Sequence, residues 1–371
     1  MTTEQNMLDA LIQHQVYSYR ASTAVVNELN GLFTKAMNQT ATKLRELLDE
    51  LTDAERDALL SGRYTTDTLK EIKSTFDELY TAVAITVPET FTVSAIALAT
   101  YEAAYISKLY GEEIELNGSK VIAGIKKKPV MGGMLFDDVW KNLAESTRNK
   151  ALYAVRQGIE QGNTTAQIVA ELRGKRTRMP NGSYEYVGGI VDEVRRNGIE
   201  ANVRTIRSHV SQVAYESTFS ALGFDFVKDI ATLDGRTTST CRSIDGRVQK
   251  ISANMQRPPY HRRCRTIQIG VDKDGNLSGK RPFVASDKPV SKIPKDEHAD
   301  IIGQVNANTT YPQWFKNQSA AFQKEALGPT KYALYKKGGF SFDRFVDPLG
   351  KPYTIAELRA LDEKTFRELN L

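Results

Sequence analysis

The stretch 234–266, DGRTTSTCRSIDGRVQKISANMQRPPYHRRCRT, holds both cysteines of the chain, Cys241 and Cys264, and one of its four histidines, His261. As a pattern it reads Cys, nineteen residues, His, two residues, Cys, with Asp234 and Asp245 nearby and a Pro-Pro-Tyr turn leading into the histidine. Period-two segments flank it: Phe224, Phe226, Ile230 and Thr232 before, and Thr266, Ile267, Ile269 and Val271 after. Alternation of this kind reads as strand. An irregular, arginine-rich loop between two strands makes this part of the chain a mixed core.

Outside that core the pattern is helical. From Thr3 to Ser61 apolar residues recur at three- and four-residue intervals, with Thr52 and Glu55 as a capping-box pair and Gly62 as a stop. A second helix is expected from a cap at Thr68 to about Val83, and a third from Pro88 to Tyr110. Further helices are expected over 136–160, from the Thr164 cap to Leu172, and over 191–221. GKRTRMPNGSY reads as an exposed basic loop and DKDGN, at 272–276, as a turn. Near the C-terminus Trp314, Phe315, Phe322 and Leu327 form a packing face, and the pairs Thr354/Glu357 and Thr365/Glu368 are capping signals.

The fold class is therefore α+β and mostly helical, with long N-terminal helices, a mixed core of a few short strands and a C-terminal helical segment. The expected organisation is an acidic helical region 1–115, a linker or arm 116–135, a core 136–275, a surface loop 276–310 and a C-terminal helical segment 311–371. The 371 residues suffice for two or three domains. The N-terminus carries no basic and apolar leader pattern, and the most apolar run, 91–110, contains Glu102 and Lys108, so a soluble species is expected. Two cysteines are too few for a disulfide-built scaffold.

The net charge of +5 hides an asymmetry: 9 Lys or Arg against 18 Asp or Glu in residues 1–115, and 41 against 27 in the remainder. Either the two parts meet different partners or these are solvated helix faces.

Three readings of the cysteines stand side by side. Zinc takes thiolate and imidazole ligands, and Cys241, His261 and Cys264 supply three; Asp245, Asp234 or His209 would be the fourth. Such a site could add on the order of 10 kcal/mol to the fold. A Cys241–Cys264 disulfide would add roughly 3–4 kcal/mol. Plain packing of reduced thiols is the third. Catalysis by Cys and His is disfavoured because no helix N-terminus or glycine-rich nucleophile turn is expected at either cysteine. No P-loop, dinucleotide fingerprint, HExxH or GxSxG occurs, which weighs against an ordinary enzyme.

From Arg236 to Arg265 there are eight Lys or Arg and one acidic residue. Arg257, Arg262, Arg263 and Arg265 bracket His261 and are the expected nucleic-acid contacts, through phosphate; pairing with carboxylates of the acidic N-terminal region or of another subunit is the competing reading.

DGRTTSTCRSIDGRV followed by PPYHRRCRT resembles the signature of the phage Mu F-like head morphogenesis family, the minor capsid proteins of tailed phages. TIRSHVSQVAYESTFSA before it and YPQWFKNQSAAFQKEALGPTKYALYKKGGFSFDRFVD after it agree in order and spacing, so the resemblance spans about 135–350. The matching positions are Asp234, Cys241, Asp245, Gly246, His261, Cys264 and Arg265. The resemblance implies a non-enzymatic protein of the virion, in the head interior, present in the host cytoplasm during assembly. Its implied partners are the portal protein, double-stranded DNA and the major capsid or scaffold protein, and its implied roles are head assembly and DNA packaging, retention or delivery. Two other classes compete: a zinc-dependent nuclease or transferase with Asp245 or Glu216 as base, and a plain DNA-binding module.

Overall fold

The computed structural model describes residues 7–130, 133–180, 182, 184–252 and 255–371. The fold is α+β and mostly helical, with long N-terminal helices, short strands in small sheets and C-terminal helices. Contacts divide it into two compact units, each discontinuous in sequence: Met1–Tyr19, Thr100–Asn117 and Ser208–Leu371 form one, Arg20–Ala99 and Gly118–Arg207 the other.

The sequential segmentation expected from composition does not follow these units. Three of their boundaries fall inside the helices α1 (Met7–Asp49), α4 (Val87–Leu109) and α9 (Glu200–Ala221), where nothing in composition marks them.

In the second unit α1 is followed by α2 (Asp53–Leu60), with the Thr52–Glu55 capping box in place. The next helix, α3 (Asp67–Thr81), is capped by Thr66, whose side chain accepts from the Leu69 amide, rather than by Thr68. It does not stop at Val83. A π-helical stretch, Ala82–Thr86, carries it directly into α4, so Pro88 sits inside a continuous helix. By length and composition alone the helix Asp67–Leu109 could cross a membrane. The expected arm 116–135 contains a helix, α5 (Gly118–Ile125), because Val121, Ile122 and Ile125 are buried on one side. Gly132 of the expected glycine pair, like Thr3 at the expected start of the first helix, lies outside the described residues.

Helix α6 (Phe136–Glu160) has the expected bounds and packs Trp140 and Phe136 against Phe91, at 5.7 and 6.0 Å between ring centroids. After α7 (Thr165–Arg173) the expected basic loop is a β-hairpin, β1 (Lys175–Arg178) with β2 (Tyr184–Val187). Residues Asn181 and Ser183 of that stretch lie outside the described residues. Helix α8 (Gly189–Glu193) and a π-helical stretch, Val194–Ile199, lead into α9.

The first unit contains the mixed core. Strand β3 (Phe226–Ile230) pairs antiparallel with β5 (Val248–Lys250) on one side and β6 (Ile267–Val271) on the other. A second sheet sets β4 (Leu233–Asp234) parallel to β7 (Lys280–Val284), which pairs antiparallel with β8 (Ile302–Asn306). The expected surface loop 276–310 thus contributes two strands, and Arg281 in it is buried. The short helix α11 (His298–Ile301) precedes β8.

Phe219, Val227, Ile230, Ile267 and Ile269 belong to one apolar cluster of this unit. A second is built by α12 (Tyr311–Lys316), α13 (Ala320–Leu327), α14 (Pro329–Lys336), α15 (Ile355–Leu361) and α16 (Glu363–Glu368), with Trp314, Phe315, Phe322 and Leu327 buried as expected. Thr354 and Glu357 form their capping box. At α16 the cap is Asp362, which accepts from the Thr365 amide, because Thr365 already lies inside the helix.

Candidate metal centre

Cys241 sits in the first turn of a six-residue helix, α10 (Ser239–Ile244), where its amide donates to the Thr238 hydroxyl. That corrects the expectation that no helix start frames a cysteine. Thr238 carries no capping-box signal, since Cys241 rather than Glu or Gln stands three residues after it. The other two groups come from one tight turn, His261 to Cys264, closed by the Cys264 amide donating to the His261 carbonyl at 3.1 Å. Arg263 takes a left-handed φ of 58° in that turn, which costs an L-residue on the order of 1 kcal/mol. The turn brings histidine and cysteine to one side.

Cys241 Sγ lies 3.1 Å from His261 Nε2 and 3.6 Å from Cys264 Sγ. All three ligand atoms are within 4.8 Å of one another. A sulfur separation of 3.6 Å is far beyond a bonded pair at about 2.05 Å, and both thiols are free. It is close to the roughly 3.7 Å between two sulfurs on a tetrahedral ion with bonds of about 2.3 Å. The group is compatible with a metal site.

The histidine is oriented for ligation. The Arg262 carbonyl can only accept, so at 2.9 Å it receives the Nδ1–H. In the neutral ring that leaves the lone pair on Nε2, 3.1 Å from Cys241 Sγ, the arrangement usual behind metal-bound histidines; in the protonated ring Nε2 donates to the sulfurs instead. Burial pushes the Cys264 thiol up, but hydrogen bonds from Cys241 and His261 outweigh it and hold Cys264 well below the usual thiol range. Hydrogen bonding to Cys264, together with burial, pushes Cys241 the other way. Burial lowers His261, yet its bond to Cys264 leaves it raised overall. The shift at Cys264 favours the thiolate, the form a metal needs.

None of the three expected fourth ligands joins the group. Asp234 is held by both guanidinium nitrogens of Arg265, by Arg236 and by the Thr237 hydroxyl; burial raises its carboxyl, but the Arg265 pairing holds it below the usual range. Asp245 accepts from Arg281 and from the Ala231 and Tyr311 amides. His209 is buried on α9 and is not a member of the trio. Among the described residues three side chains converge.

The expected DNA contacts divide. Arg257 is buried and donates to Glu216 at 2.9 Å, and Arg265 is spent on Asp234, so these two do pair with carboxylates, but not with those of the acidic N-terminal region or of another subunit as expected. The carboxylates come from the core's own unit. Arg262 and Arg263 are exposed.

Several residues that build the site gave no motif. Gly246 has φ of 88°, and a Cβ there would stand 2.7 Å from the Thr310 methyl, so only glycine fits. Arg242, next to Cys241, lies 5.2 Å from the Tyr311 ring and donates to the Gly235 and Ala326 carbonyls, tying α10 to the C-terminal aromatic cluster. Asp229 on β3 is wholly buried and accepts from Arg247, Tyr260, Gln268 and Gln249. It fixes Tyr260, the neighbour of His261.

Burial pushes the Asp229 carboxyl up to about 6 from its ordinary 3.8, against the pull of Arg247. The folded chain therefore holds this proton more tightly than the unfolded one between those values. Its contribution to stability is fully present below the lower value and is lost as pH rises through the upper. Chemical denaturation at pH steps from 4 to 7 should show a stability loss across this window that Asp229→Asn removes. An unchanged slope in the variant would refute it.

No family model, curated protein or solved structure matches the chain.

Proposed function

We propose that the chain is a minor capsid, head-morphogenesis protein of a tailed phage, structural rather than enzymatic. It acts inside the head at the portal, in assembly and in DNA packaging, retention or delivery. One observation carries this reading: the residues on which the resemblance rests have connected structural jobs. Cys241, His261 and Cys264 converge, Arg265 anchors the turn through Asp234, Asp245 clamps Arg281, and Gly246 makes the close approach to Thr310. A sequence signature that is one packed knot supports transfer of a structural role.

Zinc is the metal this donor set suits, held by Cys241, His261 and Cys264. When bound it supplies a positive centre that neutralises thiolate charge. The chain's own residues do the rest: Arg262 fixes the imidazole, Thr238 fixes the start of α10, and Asp229 with Tyr260 fixes the chain entering the turn.

The nuclease or transferase reading has less support, because both of its candidate bases are engaged in ion pairs, Asp245 with Arg281 and Glu216 with Arg257. Gradient-purified procapsids and mature heads from an infected culture should contain the protein in small copy number, and portal-deficient particles should lack it. Absence from both purified particles would overturn the proposal. A folded His261→Ala variant that is still incorporated but has lost a measurable turnover would favour the enzyme.

A further inference from the structure

The hairpin β1–β2 in the second unit is two-stranded and unusually exposed. Every residue of β1 (Lys175, Arg176, Thr177, Arg178) is exposed, and of β2 only Tyr186 is half-buried. A lone two-stranded ribbon is marginal in water, so something must hold it. Its base is a backbone clasp. Gly174, at φ 84°, lies so close to the opposite strand that a Cβ would stand 2.5 Å from the Val187 carbonyl oxygen. The Gly188 amide donates to Asp192 at 2.8 Å. The ribbon stands on α7 and α8 as a held projection.

Its register sorts the side chains. Arg176 pairs with Tyr186 and Arg178 with Tyr184, so two arginines and two tyrosines share one face. The Arg176 guanidinium lies 4.4 Å from the Tyr184 ring centroid, and that of Arg173, at the end of α7, lies 4.5 Å from Tyr186. Stacking on a ring limits a guanidinium's rotamers while leaving its N–H edge directed outward. From 173 to 187 there are four Lys or Arg and one acidic residue, Glu185. Beside this face runs an open groove of about 1100 Å³ between the two tyrosines and α1, whose wall carries Asn27, Thr34 and Lys35 together with the ion pair of Lys43 and Glu78.

We propose that this ribbon and groove bind double-stranded DNA. Oriented arginines flanked by amide, hydroxyl and lysine donors are the side chains that contact phosphate. A two-stranded ribbon also has the width a major groove admits. Single-stranded nucleic acid fits less well, since it stacks bases on open aromatic rings and each tyrosine here already has a guanidinium on one face. The site differs from the arginines around His261, two of which are committed to internal carboxylates. Duplex binding here does not require head incorporation, so failure of either leaves the other standing.

The test is fluorescence anisotropy of the full chain with a labelled duplex of about 20 base pairs and arbitrary sequence, over a salt series. Affinity should fall with salt at a log–log slope of about −3. Arg176→Ala with Arg178→Ala should weaken binding tenfold or more at low salt and reduce the slope by about 2. Lys175→Glu, on the opposite face of the ribbon, should weaken it less than the arginine pair does. Arg262→Ala with Arg263→Ala should change it far less. No duplex binding at low salt would overturn the proposal, as would ribbon variants that bind like the parent. So would a single strand of equal length binding as tightly as the duplex, or a loss confined to the Arg262 and Arg263 variant.

Discussion

Asp245→Ala should lower the unfolding free energy by about 3–5 kcal/mol, the range found when one partner of a buried ion pair is removed. Both side chains are closed to solvent, at 0% exposure for Asp245 and 1% for Arg281. The carboxylate receives Arg281 Nη1 at 3.0 Å and Nη2 at 3.1 Å, and also the amides of Ala231 and Tyr311. Truncation therefore leaves a buried cation with only the Thr309 and Ala231 carbonyls for partners, and strands two backbone donors. Those amides belong to the chain leaving β3 and to the start of α12, so the loss would be felt where the strand core meets the aromatic cluster. Arg281→Met should also destabilise, because it leaves a buried anion with only its two amide donors. The double variant should be milder than the sum of the two, with a coupling of at least about 1 kcal/mol. Denaturant unfolding read by Trp314, 5.2 Å from Tyr311, in a Trp140→Phe background would measure it. A loss under 1 kcal/mol for Asp245→Ala would show the clamp to be dispensable.

Helices were readable where capping chemistry and periodicity coincide. Thr52 with Glu55 and Thr164 with Gln167 mark their caps, and α6 has the bounds its apolar face suggests. The misreadings have definite causes. Pro88 reads as a helix start, but it is the second residue of α4, which follows directly on the π-helical stretch Ala82–Thr86. The stretch 174–184 reads as a loop because β1 has no apolar residue, and the alternation of Tyr184 and Tyr186 about Glu185 in β2 is too short to mark a strand. β7 and β8 were hidden by the Lys- and Pro-rich segment around them.

For the site, composition located the trio but not its supports. Cys and His at short spacing are conspicuous, and the structure brings them together. Which aspartates would be ligands was not legible, because that depends on Arg265 and Arg281 reaching them from 31 and 36 residues away. The same holds for Asp229, an ordinary aspartate in sequence whose four donors come from three separate segments. Glu102 is a parallel case. It breaks an apolar helix in sequence, yet in its own unit it is fully buried and accepts from His14, Ser18, Ser211 and Tyr215. A carboxylate so provided with donors is a core residue of a protein interior.

Zinc supplied at about 1,000 times its dissociation constant should raise the unfolding free energy by about 4 kcal/mol, and a chelator should reverse this. The expectation rests on how little has to change for the ion to be taken up. Sulfurs 3.6 Å apart already stand near the separation a tetrahedral ion imposes, Cys264 is held toward its thiolate, and the histidine's Nδ1 is committed to Arg262. Ordering is then largely complete before binding, so the binding free energy is not consumed in rearranging the loop. His261→Ala and Cys264→Ser should each abolish the zinc-dependent increment, whatever they do to the zinc-free stability, because two remaining donors hold the ion poorly. Cobalt in place of zinc should give a thiolate-to-metal charge-transfer band in the near ultraviolet that disappears in Cys241→Ser. With three side-chain donors converging among the described residues, the coordination left over falls to solvent or to a partner. That predicts weaker retention than a closed four-ligand site, and one zinc per chain that dialysis against chelator removes without denaturant. If neither ion changes stability and no band forms, Cys241 and Cys264 are a packed thiol pair, and Asp234, Asp229 and Asp245 alone hold the knot.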